Sequence, residues 1–188
     1  MFHIQCVTPR RKELLQQIGL QFGILRIDID ETPLDDESPQ SYVARLSAAK
    51  AQAGLEQCKN NDDLVIAADT TVVFDQQIIG KPETEQQALH IWQQLSGKVH
   101  QVLTGFTVAN RQKTRTMIVV TEVYFRVLSH QEMLAYWQTG EPKDKAGGYG
   151  IQGKGCLFVE KINGSYSNVV GLPLTETAIV LREFGCQV

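Results

Sequence analysis

The sequence predicts an α/β fold in which helices flank a mixed β-sheet, and three observations support this class. Helical and strand patterns alternate along the chain. Two long strand patterns, Val99–Ala109 and Thr114–Val127, are separated only by the polar turn 110–113, which predicts an antiparallel hairpin and a sheet that is not wholly parallel. The length of 188 residues suits one domain, so residues 1–188 are interpreted as a single domain.

Capping residues mark the helix boundaries. Thr8-Pro9 and Ser38-Pro39 each place an N-cap residue before a proline at the first helical position. The pairs Thr84/Gln87 and Ser129/Glu132 match the capping box. Together with the glycines that end several periodic stretches, these signals predict helices over residues 8–18, 38–57, 84–96, 129–138 and 175–184.

Short apolar or alternating runs predict the other strands, at residues 2–7, 22–30, 64–68 and 156–161. Asp69 follows the run 64–68, so we expect its carboxylate at the end of a buried strand. A hairpin through the turn 75–77 should then return Lys81 toward the same end. An anion and a cation at one strand end make a candidate site for phosphate chemistry, and a plain surface salt bridge is the alternative.

Composition and charge exclude several classes of function. The net charge of −3 argues against broad electrostatic binding of nucleic acid, which needs a surplus of Lys and Arg on one face. We find no secretory signal pattern and no apolar segment of membrane-spanning length, so a cytoplasmic protein without a membrane partner is expected. The four cysteines and four histidines lack paired spacing, so neither a zinc site nor a disulfide framework is predicted.

The first turn of the first helix carries three consecutive cations, Arg10, Arg11 and Lys12. The amino end of a helix has positive partial charge, so cations there are unfavourable unless an anion offsets them. Backbone N–H groups, the helix dipole and guanidinium groups would together bind a phosphate. The alternative is that these long side chains extend into water.

Two further charged positions are candidates. Glu31 closes a short acidic run with Asp28 and Asp30, which fits either a hard divalent cation or a solvated strand end. Lys50 lies at the edge of the apolar stripe of its predicted helix. A functional lysine and a lysine that merely covers the stripe are both consistent with that position.

The stretch 141–155 is rich in glycine and contains Gln152. It matches part of a dinucleotide fingerprint and part of a P-loop, but no helix opens after it, and Gly155 stands where a P-loop has Ser or Thr. Both motifs are therefore rejected. What remains is a loop whose backbone can approach a ligand closely and which presents the Gln152 amide, or else a mobile surface loop.

Several motifs follow one another along the chain: TPRRKELL near the start, YVARL with the following Lys50, AADT at 67–70, GKP at 80–82, LSGKVHQVLTG at 95–105, DKAGGYGIQGKG at 144–155 and INGSYSNVVGLPL at 162–174. In this order they resemble the Maf nucleotide pyrophosphatases, also called septum formation inhibitor Maf. The resemblance covers nearly the whole chain. It implies a two-lobed α/β fold around a central cleft.

The same resemblance implies an activity: hydrolysis of a nucleoside triphosphate to the monophosphate and pyrophosphate, assisted by Mg, Mn or Co. It implies that Asp69 is the proton acceptor that activates water and that Glu31 and Asp69 hold the metal. It also allows a homodimer. The residues that it implies for phosphate binding are Arg10, Arg11, Lys50 and Lys81.

Within the family, the Thr of AADT and the Gln of YGIQG resemble the branch that acts on dTTP and UTP, with modified pyrimidine nucleotides as further candidates. The resemblance implies Arg10, Thr70 and Gln152 as the specificity set. The Gln152 amide can accept from the N3–H of uracil or thymine and donate to O4.

One segment departs from the family pattern, because Cys6-Val7-Thr8 stands where the family has Ser-x-Ser with a central glycine. Weaker phosphate binding is the resulting hypothesis. A weakly active or inactive nucleotide-binding regulator linked to cell division is the alternative function.

Overall fold

The computed structural model describes residues 2–5, 9–60 and 62–188, and for residues 2–5, 9 and 10 it describes the backbone alone. The strands are β1 Phe2–Gln5, β2 Phe22–Leu25, β3 Leu64–Phe74, β4 Gln77–Ile79, β5 Val99–Ala109, β6 Thr114–Phe125 and β7 Val159–Asn163. The helices are α1 Pro9–Gln17, α2 Pro39–Gln57, α3 Glu85–Leu95, α4 His130–Trp137, α5 Tyr166–Val170 and α6 Leu174–Glu183.

The predicted mixed α/β class is confirmed. The strand order is β2-β1-β3-β5-β6-β7, with β4 paired to β3. β1 runs parallel to β2 and to β3, whereas the β3–β4 and β6–β7 pairs are antiparallel. Among the described residues, no helix has the length and apolar character needed to cross a membrane.

The predicted capping signals are present wherever their residues are described. Ser38 Oγ accepts from Ser41 N at 3.1 Å and begins α2. Thr84 and Ser129 each form a complete capping box with the residue three positions later. The proposed cap Thr8, together with Cys6 and Val7, lies outside the described residues.

The chain divides into two compact units. The first comprises Met1–Thr70, Thr104–Val119 and Gly171–Val188, and the second comprises Thr71–Leu103 and Val120–Val170. In the first unit, α2 packs on the sheet through a small apolar cluster that includes Ala51, Leu55, Val65 and Ala109.

The core of the second unit contains a cluster of packed aromatic rings. Trp92 lies 5.2 Å from Tyr136, and Tyr136 lies 4.9 Å from Phe158, measured between ring centroids. Phe125 and Tyr149 extend the cluster with a centroid separation of 4.8 Å. Aromatic pairs in these tilted and edge-on arrangements stabilise a core beyond the area that they bury.

Two strand predictions are corrected at their ends. The strand predicted over 22–30 stops at Leu25, which pairs with Gln5, the last residue of β1. The strand predicted to end at Asp69 continues to Phe74, because the β-branched residues after Asp69 pair with β4. Asp69 therefore lies within β3 and not at its end.

A third prediction is shifted along the chain. Residues 156–161 do not form one strand: a 3₁₀ turn covers Lys154–Phe158, and β7 begins at Val159. The side chain of Phe158 is buried in the aromatic cluster, so the chain turns inward before it can pair with β6.

Candidate active site

Asp69, Lys50 and Glu31 meet in the first unit. Lys50 Nζ lies 2.7 Å from Asp69 Oδ1 and 2.5 Å from Glu31 Oε1. Lys50 and Asp69 are only 6% and 8% exposed, whereas the Glu31 side chain is 45% exposed. Burial of a charge is unfavourable unless an opposite charge and hydrogen bonds compensate it. The Lys50 pair explains how an acidic residue is accommodated inside β3, and the alternative of a lysine that only covers the stripe is wrong.

Helix α2 also holds the loop that carries Glu31. Tyr42 Oη donates to the backbone carbonyl of Glu31 at 2.9 Å. Burial, with the nearby carboxylates of Asp69 and Glu31, raises the pKa of Tyr42 to about 12, so its hydroxyl remains a donor at neutral pH. Arg45 forms a bidentate ion pair with Glu37, at 2.6 and 2.7 Å, which fixes the far end of the same loop.

A second group of contacts surrounds Thr70. Arg11 Nη2 donates to Thr70 Oγ1 at 3.3 Å, and Arg11 Nε donates to the carbonyl of Gly171 at 3.0 Å. Thr70 Oγ1 lies 2.9 Å from the hydroxyl of Thr104, which is fully buried in β5. Arg11 is half-buried and held by these contacts, so the alternative that it extends freely into water is wrong.

Arg10 lies in the first turn of α1, and its side chain lies outside the described residues. Lys81 and Gln152 belong to the second unit, and both are exposed. The structure therefore brings together Asp69, Lys50 and Glu31 in one group and Arg11 and Thr70 in another.

The glycine-rich loop packs closely against other residues of the second unit. A Cβ on Gly147 would lie 2.9 Å from Val72, and one on Gly148 would lie 2.9 Å from Pro82. A Cβ on Gly153 would overlap the carboxylate of Glu141. These glycines are required because the loop backbone contacts its own protein closely.

Sequence reasoning missed three contributors to the site. Thr104 and Gly171 contact the Arg11–Thr70 pair, and Tyr42 holds the Glu31 loop. Thr104 and Gly171 lie in the motifs LSGKVHQVLTG and INGSYSNVVGLPL quoted above. Their place in these motifs is the sequence feature that could have identified them as part of the site. Gly171 has a φ of +127°, a conformation that favours glycine and turns its carbonyl toward Arg11.

The donor chemistry suits a hard divalent cation. Asp69 and Glu31 come from different elements and converge on one ammonium group, so two carboxylates share one locality. Mg²⁺ is commonly bound through one or two carboxylates, with waters and substrate phosphates as the other ligands. Among the described residues, no group of three or more His, Cys, Asp or Glu is arranged to hold a metal by itself.

Fold and site together define a mixed α/β protein whose sheet carries a buried carboxylate paired with lysine, beside an arginine–threonine cluster. The family model described as Maf-like protein matches residues 7–184. The chain belongs to the Maf family.

The chain is also similar to several proteins named dTTP/UTP pyrophosphatase. It is 49% identical to the one from Aliivibrio fischeri over 180 residues, which cover 94% of each chain. It is 48% identical to that of Vibrio parahaemolyticus, over 94% of this chain and 93% of the relative. It is 48% identical to that of Pseudoalteromonas translucida, over 97% of this chain and 96% of the relative.

Proposed function

We propose that this protein is a nucleoside triphosphate pyrophosphatase that hydrolyses dTTP and UTP to the monophosphate and pyrophosphate, with modified pyrimidine nucleotides as further candidate substrates. The observation that carries the proposal is near-full-length identity of about half the residues to relatives named dTTP/UTP pyrophosphatase. Residues 1–188 would act as one functional domain in the cytoplasm, and a homodimer is allowed. Nucleic acid is left out because the net charge is −3.

In the proposed mechanism, Asp69 accepts a proton from the attacking water while the hydroxyl oxygen bonds to phosphorus. The anhydride bond between the α- and β-phosphates breaks, and pyrophosphate leaves with the electron pair. Lys50 Nζ lies 2.7 Å from Asp69 Oδ1, so its ammonium group would place positive charge beside the reacting phosphate, whose oxygens gain negative charge in the transition state. Arg10, Arg11, Lys50 and Lys81 would neutralise the phosphates.

Asp69 and Glu31 would hold a divalent cation of the Mg, Mn or Co type. When bound, such an ion supplies positive charge against the phosphate oxygens and makes a nearby water more acidic. In the specificity set, Thr70 and Arg10 would contact the nucleotide, and the exposed Gln152 amide would pair with N3–H and O4 of the pyrimidine.

The first test is pyrophosphate release from dTTP, UTP, dCTP and dATP with each metal, for the parent protein and Asp69→Asn. We expect Asp69→Asn to lower kcat by about 100-fold or more, because a general base contributes that much. The matched control is Asp63→Asn: Asp63 is also a buried aspartate of the first unit, but it bonds to Asn60.

Undiminished turnover in a folded Asp69→Asn variant would contradict the assigned base. Tight binding of nucleotide by the parent protein without release of pyrophosphate would instead support the nucleotide-binding regulator linked to cell division.

A further inference from the structure

Glu141 has no role in the proposed mechanism, yet its carboxylate accepts three hydrogen bonds at the glycine-rich loop. Tyr136 Oη donates to Glu141 Oε1 at 2.7 Å. The backbone amide of Lys154 donates to Oε2 at 2.8 Å, and the amide of Gly155 donates to Oε1 at 3.3 Å. One side chain therefore joins helix α4 to the end of the loop that follows Gln152.

The part of the loop that precedes Gln152 is tied to this carboxylate through Tyr136. The Tyr136 hydroxyl accepts from the amide of Gly150 at 3.1 Å while it donates to Glu141. A turn from Gly153 N to Gly150 O, at 3.2 Å, closes the segment that contains Gln152. Hydrogen bonds that lead to Glu141 therefore hold the backbone on both sides of Gln152.

Packing supports the same conclusion. A Cβ on Gly153 would overlap the Glu141 carboxylate, and a Cβ on Gly150 would lie 2.9 Å from Lys145 Cε. Lys145 Nζ in turn donates to the backbone carbonyl of Glu141. The loop packs closely against Glu141, so the path of its backbone depends on the shape and hydrogen-bonding capacity of that side chain.

The anchor requires a charged carboxylate. Partial burial opposes the charged form, but hydrogen bonds from Tyr136, Lys154 and Gly155 outweigh it, and the net pKa of Glu141 is lowered. A carboxylate offers two acceptor oxygens to these donors. A glutamine offers one, and would turn an NH₂ group toward a backbone N–H.

We infer that Glu141 is a positioning residue for base selection, which holds the loop so that Gln152 meets the pyrimidine. The inference rests on the proposed function, since it gives the loop a role only if Gln152 contacts the base. Preorganisation of a loop reduces the ordering that binding would otherwise require, so loss of the anchor should weaken recognition of the substrate more than the chemical step.

The test compares Glu141→Gln with Glu122→Gln as the matched control. Glu122 belongs to the same unit and also accepts from a tyrosine hydroxyl and an amide, those of Tyr124 and Asn163, each at 3.0 Å. We expect Glu141→Gln to raise KM for dTTP about tenfold, with kcat within about twofold. The preference for dTTP over dCTP in kcat/KM should fall toward that of Gln152→Ala, whereas Glu122→Gln should retain it.

Hydrogen exchange gives a readout that does not depend on activity. The amides of Lys154 and Gly155 should exchange faster in Glu141→Gln and remain slow in Glu122→Gln. Tyr136→Phe keeps the ring in the aromatic core but removes the hydroxyl bridge, so it should raise KM in the same direction. It decides the question if Glu141→Gln does not fold.

The outcomes separate the two proposals. The positioning role is overturned if Gln152→Ala loses the base preference while Glu141→Gln keeps the KM and the base preference of the parent protein. Tyr136→Phe takes the place of Glu141→Gln in this comparison if Glu141→Gln does not fold. An unchanged preference in active Gln152→Ala overturns base reading by Gln152, and the positioning role with it. If the parent protein binds nucleotides without hydrolysing them, the ratio of Kd values for dTTP and dCTP makes the same comparison.

Discussion

Lys50 shows how much of this site is decided by one side chain. Its long stem lets α2 deliver an ammonium group to a strand residue, Asp69, and to a loop residue, Glu31. The two contacts differ in environment, because Asp69 is buried and Glu31 is nearly half exposed. Solvent weakens exposed ion pairs, so the contact with Asp69 dominates the stability of this group.

Lys50→Met should lower the free energy of unfolding by about 3 kcal/mol, because it leaves Asp69 buried without its partner. Lys113→Met is the control, since the ion pair of Lys113 with Glu183 is exposed and should contribute less than about 1 kcal/mol. Urea denaturation measures both variants. The double variant Lys50→Met/Asp69→Leu should recover part of the lost free energy of unfolding. If Lys50→Met alone is as stable as the parent protein, the Lys50–Asp69 pair does not contribute to stability.

Helix α2 is the element that organises the first unit. It contributes Lys50 to the carboxylates, Tyr42 and Arg45 to the acidic loop, and Ser47 to a buried hydroxyl contact with Thr107 at 3.0 Å. This is possible because α2 lies directly on the backbone of β5 at Gly105. A Cβ there would overlap the carbonyl of Val43 and lie 2.9 Å from the amide nitrogen of Ala44.

Gly105→Ala should therefore reduce stability by about 2–3 kcal/mol, because the overlap is with backbone, which cannot rotate away. Gly80→Ala provides the comparison, since a Cβ on Gly80 meets no atom within 4 Å. That control should change stability by less than about 1 kcal/mol. Thermal and urea unfolding report both effects, and equal stability of the two variants would contradict close packing of α2 on β5.

At the scale of the whole molecule, stability depends on pH through a buried histidine of the second unit, His100. His100 is 2% exposed, lies edge-on to Phe125 and forms a 2.7 Å hydrogen bond with Tyr149 Oη. Burial lowers the pKa of His100 to about 4. The His100 ring contributes to the pH dependence of stability, because the unfolded chain protonates a histidine near its ordinary pKa of about 6.5.

Stability should fall as the pH is lowered from about 6.5 toward 4. In that window the unfolded chain binds a proton at His100 and the native state does not, so the loss approaches about 1.4 kcal/mol per pH unit. His100→Phe should remove this part of the slope, even though it leaves Tyr149 without its partner. The exposed His90 is the control. Urea denaturation at a series of pH values gives the slope of the free energy of unfolding against pH for each variant. The assignment is refuted if His90→Gln flattens this slope and His100→Phe does not.

Residues whose structure depends on near neighbours were predictable. Ser38-Pro39 and the capping boxes at Thr84 and Ser129 begin helices as expected, because a cap is satisfied by amides two or three residues away. The mixed sheet followed from the short turn at 110–113 for the same reason. Strand ends were less predictable, since β2 stops and β3 continues according to partners from elsewhere in the chain.

The sequence by itself determined the α/β class, the helix starts and the presence of charged residues fit for phosphate chemistry. Only the tertiary structure decided which charges meet. Lys50 bonds to a residue 19 positions away and Arg11 to one 160 positions away, and the glycines around Gln152 pack on Glu141. The physical reason is that caps and turns are local, whereas the partner of a buried or half-buried polar group is whichever distant residue the packed chain brings within hydrogen-bonding distance.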